Sequence, residues 1–214
     1  MHIPDGYLSP ATVAVSYAAA IPLWVYGFRR LKAVLNEETL PMIGAVTALS
    51  FVVMMFNIPI PGGTSGHAVG AALIAILFGP WVAAVAVSLV LLIQAVVFAD
   101  GGLSALAVNS LAMGFLGAFV GYGVFRALER FRWAPFAAGW SAAVASSVLI
   151  ALVLGIQPIL WSEGGRPLYF PFDLSITLPA LVGEHMLIFG VVEGVFTYAA
   201  YRFLRAESRE KERA

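Results

Sequence analysis

The 214-residue sequence has no cysteine, which excludes disulfides, thiolate metal sites and cysteine nucleophiles together and leaves histidine as the principal soft-metal ligand. Histidine is itself scarce: His2, His67 and His185 are the only three. Charge is scarce too, at 11% of residues, where a soluble domain has about one quarter. The formal net charge is zero, so no global basic field exists to attract nucleic acid and no acidic one to gather cations. There is no Gly-x-x-x-x-Gly-Lys-Ser/Thr phosphate loop, and the chain is not expected to bind ATP. The opening Met1-His2-Ile3-Pro4-Asp5-Gly6 lacks the basic region and short apolar run of a cleavable signal, so the mature protein is expected to keep it.

What the chain does have is apolar length. Hydrophobic residues make up 61% and mean hydropathy is +0.91, so lipid is the solvent for most of it. A spanning helix needs about 20 apolar residues. Segments near 11–28, 40–57, 67–79, 81–98, 103–125, 134–156 and 174–203 meet or approach that length, the third being short and separated from the fourth by Gly79-Pro80. Because only helices or closed barrels satisfy backbone groups in lipid, the reading is an all-α membrane protein, a bundle of about seven transmembrane helices. Residues 1–206 form one transmembrane domain and 207–214 a polar cytoplasmic tail. With seven spans, eleven of the twelve basic residues fall on one side: Arg29, Arg30, Lys32, Arg126, Arg130, Arg132, Arg202, Arg205, Arg209, Lys211 and Arg213, with only Arg166 opposite. The rule that cytoplasmic loops are basic then places the amino terminus outside and the carboxyl terminus in the cytoplasm. Small residues recur at helix-packing spacing, Ala14 and Ala18 in the first span and Gly114, Gly117 and Gly121 in the fifth. They serve close packing inside the bundle or a partner's membrane helix.

In this orientation His2, Asp5, Asn57, Thr64, Ser65, His67, Asp100, Asn109, Glu163 and Asp173 gather at the outer ends. The run from Asn57 to His67, with Pro59, Pro61, Gly62, Gly63 and Gly66, is the densest turn chemistry in the chain and suits an irregular, closely packed backbone. His67 taken alone reads as a structural histidine. A retained Met1 before His2, however, offers three nitrogens at chelating distance: the α-amine, the His2 amide and the His2 imidazole Nδ1. Amine and amide close a five-membered ring on a metal, and amide and Nδ1 close a six-membered one. One in-plane position remains, and an outer histidine such as His67 is placed to fill it. Square-planar nitrogen donors suit Ni(II) or Cu(II), and ionisation of an amide makes binding depend steeply on pH. The plain alternative is an exposed terminus that binds nothing.

Met1-His2-Ile3-Pro4-Asp5-Gly6 together with Gly62-Gly63-Thr64-Ser65-Gly66-His67 resembles the CbiM/NikM family, and the seven-span plan fits that family along nearly the whole chain. The resemblance implies a substrate-binding component of an energy-coupling-factor transporter for cobalt or nickel, a multi-pass protein of a prokaryotic cell membrane and not an enzyme. It implies an inserted amino terminus and places the Met1 amine, the His2 amide and imidazole, and the His67 imidazole on Ni2+ or Co2+ as transported substrate. Pro4-Asp5, where cobalt-type members more often carry a Met-Glu-Gly variant, leans toward nickel. The implied partners are a transmembrane coupling protein, two cytoplasmic ATPase subunits and a small additional membrane subunit, all within the lipid bilayer or against it.

Glu184, His185 and Glu193 lie inside the seventh span, where ionisable residues default to function. A second metal station or release path competes there with a buried structural pair. A rhomboid-like serine protease would use Ser65, in Gly63-Thr64-Ser65-Gly66, with His185 as base. Ser65 follows a proline-rich loop rather than lying within a span, which counts against it. A metal channel or exporter is the other alternative.

Overall fold

In the computed structural model the apolar segments are helical: α1 (Pro10–Val34), α2 (Thr39–Met54), α3 (Ala71–Phe78), α4 (Pro80–Phe98), α5 (Leu106–Leu128), α6 (Ala134–Leu160) and α7 (Leu174–Ala206), the last running on in helix to Lys211. The structure describes residues 2–60 and 64–211, and only the backbone at 59–60, 64–65 and 207–211. Helices α1, α4, α5, α6 and α7 are long and apolar enough to cross a membrane, while α2 is apolar but has 16 residues. Lipid offers no partner for a backbone amide, so such segments satisfy their hydrogen bonds internally.

The third segment, expected to be short and broken from the fourth at Gly79-Pro80, has less helix than a full span. Residues 67–70 are not helical, and α3 has eight residues, about 12 Å of helix where a bilayer core needs roughly 30 Å. Two glycines bracket it, Gly70 at φ 79° and Gly79 at φ 92°. Pro80 then opens α4 at a position where its missing N–H has no partner to lose. The all-α expectation also yields two small hairpins. Strand β1 (Ile58–Ile60) pairs antiparallel with β2 (Thr64–Gly66), setting Ile58 opposite Gly66. Strand β3 (Ser162–Glu163) pairs with β4 (Arg166–Pro167) across Gly164 and Gly165, both at positive φ as a two-residue hairpin turn demands.

Helix α4 is the axis of the bundle, with 56% of its most apolar stretch buried against 17% for α1 at the periphery. Leu73, Ile74, Val87, Val90 and Met113 from α3, α4 and α5 form the main core. The glycine stripe of α5 packs internally: a Cβ on Gly114 would meet the Ala84 carbonyl of α4, one on Gly117 the Ser146 hydroxyl of α6, and one on Gly121 Ala72 of α3. Ala14 and Ala18 lie instead on the exposed side of α1.

Three helices widen locally to i→i+5 turns, at Gln94–Phe98 in α4, Ser110–Leu116 in α5, and Leu178–Val182 and His185–Phe189 in α7. Such turns free carbonyls that need other donors and re-aim side chains. In α7 the Trp140 indole N–H from α6 donates to the Met186 carbonyl at 3.0 Å.

Candidate metal centre

The amino-terminal segment is drawn into the bundle by polar groups that apolar helices would otherwise leave unsatisfied. Ile3 is 1% exposed. Its N–H donates to Asn109 Oδ1 at 3.0 Å, and its carbonyl accepts from Asn109 Nδ2 at 3.1 Å and from the Gly102 N–H at 2.9 Å. The side-chain amide of Asn109 thus plays the part of a neighbouring strand. Asp5 accepts from the Leu103 and Ser104 amides at 3.2 and 2.8 Å. The Ser104 hydroxyl and amide hold its carboxyl below the usual range, so it is ionised at neutral pH. Ser9 caps α1 through Thr12 N–H, and its own N–H donates to the buried Gln157 Oε1 at 2.9 Å. Hydrogen bonds of long sequence separation therefore hold Ile3, Asp5 and Ser9 in place.

Held this way, the backbone delivers His2 to the loop after α4. Ala99 ends that helix in the left-handed region at φ 53°, the one non-glycine residue with positive φ among those described. This conformation costs an alanine about 1–2 kcal/mol, and it turns Asp100 back over the bundle. His2 Nδ1–H donates to Asp100 Oδ1 at 2.8 Å. Burial pushes the His2 imidazole below its ordinary pKa, with the Asp100 bond opposing, and the ring is neutral at pH 7. The same bond lowers Asp100.

His67 arrives from the other direction, between β2 and α3, and is 3% exposed. Its ring lies 4.7 Å from the His2 ring, centroid to centroid, tilted by 58°. Its Nδ1 faces the Ala68 carbonyl at 3.0 Å. A carbonyl only accepts, so Nδ1 carries the proton and Nε2 the lone pair. Nε2 of His2 and Nε2 of His67 are both buried without a partner among the described residues. Buried polar atoms without a partner are costly unless something binds them, and neutral imidazole is a favoured ligand of transition metals. Among the described residues no three His, Cys, Asp or Glu side chains form a metal-holding group by themselves.

Of the residues singled out in the sequence, the structure brings together His2, His67, Asp100, Asn109 and Asp5. Met1 lies outside the described residues, as does the side chain of Ser65. Asn57 and Glu163 are exposed, and Asp173 caps α7. His185 is buried, with Nδ1 donating to the Leu181 carbonyl at 2.7 Å and its ring 5.1 Å from Phe189. Sequence reasoning grouped Asp100 and Asn109 with the outer polar residues without assigning them work, and passed over Gln157. The available signal was an amide side chain inside an otherwise apolar span, which demands a partner.

A helical membrane protein enclosing a pair of open imidazoles beneath its loops is the class that this fold and site define. The chain belongs to the CbiM family, described as the cobalt uptake substrate-specific transmembrane region, whose profile matches residues 2–211. It is 42% identical over 98% of its length to the fused nickel transport protein NikMN of Rhodobacter capsulatus, and 34% identical over 92% to the cobalt transport protein CbiM of Geobacter sulfurreducens. It spans 63% and 57% of the length of those two relatives. A crystal structure of a truncated transition metal transporter superposes with a TM-score of 0.92 at 39% identity, covering 97% of this chain and 99% of that one.

Proposed function

We propose that the chain captures Ni(II), or Co(II) with nickel preferred, as the substrate-binding membrane component of an energy-coupling-factor uptake system in a prokaryotic cell membrane. The observation that carries this is the buried convergence of His2 and His67, 65 residues apart in sequence, with His67 Nε2 left without a partner among the described residues. In the proposed complex the Met1 amine, the His2 amide nitrogen and His2 Nδ1 form a planar tridentate chelate, and His67 Nε2 fills the fourth position. Four nitrogens in a plane suit Ni(II), and the relatives named as nickel and cobalt transport proteins support transport of one of these two metals. Because His2 Nδ1 now donates to Asp100, closing the chelate requires the imidazole to turn and give up that bond.

The proposed partners are a transmembrane coupling protein, two cytoplasmic ATPase subunits that supply the energy, and a small additional membrane subunit. The proposed topology has the metal site outside and the carboxyl terminus in the cytoplasm, the third crossing completed by residues 67–70 ahead of α3. Two features support it. Arg130 and Arg132 after α5 line one cavity with Arg202 and Arg205 of α7. Asn109 and Arg126 sit 17 residues apart on α5, about 26 Å along a helix, which separates the site from that basic end.

Titration calorimetry on purified protein with its native terminus tests the chelate. One Ni(II) or Co(II) is expected per chain, and His2→Ala or His67→Ala is expected to abolish binding. One residue added before Met1 displaces the amine while leaving both imidazoles in place, and is expected to do the same. Unchanged affinity after that extension would show the chelate model to be wrong.

A further inference from the structure

Glu193 is 2% exposed in the middle of α7, and the chelate makes no use of it. Its carboxylate reaches across to the loop carrying His67, accepting from the Val69 N–H through Oε2 and from the Gly70 N–H through Oε1 at 2.9 Å. These amides directly precede α3, whose first turn leaves backbone donors without internal partners. The Val69 carbonyl is held from the opposite side by the Ser50 hydroxyl of α2. Glu193 belongs to a stripe on α7 that presses on residues 66 to 70. Phe189, four residues before it, packs against Gly66 so closely that a Cβ there would overlap the ring, and Phe196, three residues after it, lies 3.3 Å from where a Cβ on Gly70 would stand. The i, i+4, i+7 spacing puts all three on one helix face. Gly139 of α6 lets that face seat deeply, since its missing Cβ would meet the Glu193 carbonyl.

We infer that Glu193 is a positioning residue for metal binding, which clamps the 66–70 loop to α7 and thereby sets where His67 Nε2 points. The inference rests on the metal-capture reading above. A carboxylate shared by two adjacent amides fixes the loop both along and across the helix axis, which a single hydrogen bond does not. His67, two residues before the first clamped amide, has little freedom left. Groups that orient a metal ligand commonly change metal affinity about 10- to 100-fold when lost, and Glu193 acts on His67 through the backbone at residues 69 and 70.

Glu193→Gln is the discriminating variant, because it is nearly isosteric and replaces one of the two accepting oxygens with an NH2 donor that faces a backbone N–H. In the metal-free full chain, hydrogen exchange at Val69 and Gly70 is expected to accelerate while exchange in α7 stays at the wild-type rate. With Ni(II), affinity is expected to fall about 10- to 100-fold and the absorption band of the complex to shift. A purely structural role would lower thermal stability without moving that band. Should Glu193→Gln not fold, Glu193→Asp keeps the charge, falls one methylene short, and takes its place with the same expectations. Wild-type exchange at both amides overturns the clamp. So does wild-type Ni(II) affinity in a variant whose His67→Ala counterpart has lost it. If wild-type protein takes up no Ni(II), the metal-capture reading fails instead, and the metal-free exchange measurement still decides whether Glu193 fixes the loop.

Discussion

Asp100 and the proposed chelate make opposite demands on His2. The carboxylate holds Nδ1 by a charge-assisted bond, while a chelate through the His2 amide needs that same nitrogen. Two coordination modes follow, and they differ in sign when Asp100 is removed. If Nδ1 joins the chelate, Asp100 is a competitor, and Asp100→Ala leaves Ni(II) affinity equal to or above wild type. If Nε2 binds instead, Asp100 is the carboxylate that orients a histidine ligand, and its loss weakens binding about 10- to 100-fold. The first outcome is expected, with calorimetry at fixed pH as the measurement. The ring is neutral near pH 7 in either mode, since burial outweighs the help its cation gets from Asp100.

At the level of elements, the hairpin of β1 and β2 meets the widened turn of α7 where Gly66 lies against the Phe189 ring. Gly66→Ala is expected to cost about 1–3 kcal/mol by overpacking and to weaken metal binding by displacing His67. Phe189→Leu in the same chain should recover part of both losses, read by thermal unfolding and calorimetry. The helices themselves were legible in the sequence because apolar length and the Gly79-Pro80 break are local signals. His2 stood out as a candidate from its place beside a terminal amine, whereas His67 alone reads as a structural histidine and became a candidate only together with His2 and the family resemblance. The partners of these residues were not legible. Asp5 pairs with Ser104, Ile3 with Asn109, Ser9 with Gln157 and Glu193 with Val69, at separations of 99, 106, 148 and 124 residues. No periodicity records such pairings. The third segment misled for a related reason: its hydropathy runs on through residues 67–70, where the backbone is held by Ser50 and Glu193 and not by helical bonds.

For the molecule as a whole, the absence of cysteine makes topology directly measurable. Glu163→Cys in the β3–β4 hairpin is expected to react with an impermeant maleimide on intact cells. Asn36→Cys, between α1 and α2, is expected to react only after permeabilisation. The reverse pattern would invert the orientation proposed from the arginines, and equal labelling at both positions would contradict the crossing count.

The contact between Ile3 and Asn109 also imposes an order in time. Ile3 leaves the ribosome 106 residues ahead of its partner, roughly 5 to 20 seconds at ordinary synthesis rates, and Gln157 follows Ser9 by 148 residues. Through that interval the segment bearing His2 has been made but has no place to go. Whatever modifies, trims or sequesters an emerging chain therefore meets the segment bearing His2 before its partners exist, and the earliest-made part of the site waits on groups made more than a hundred residues later.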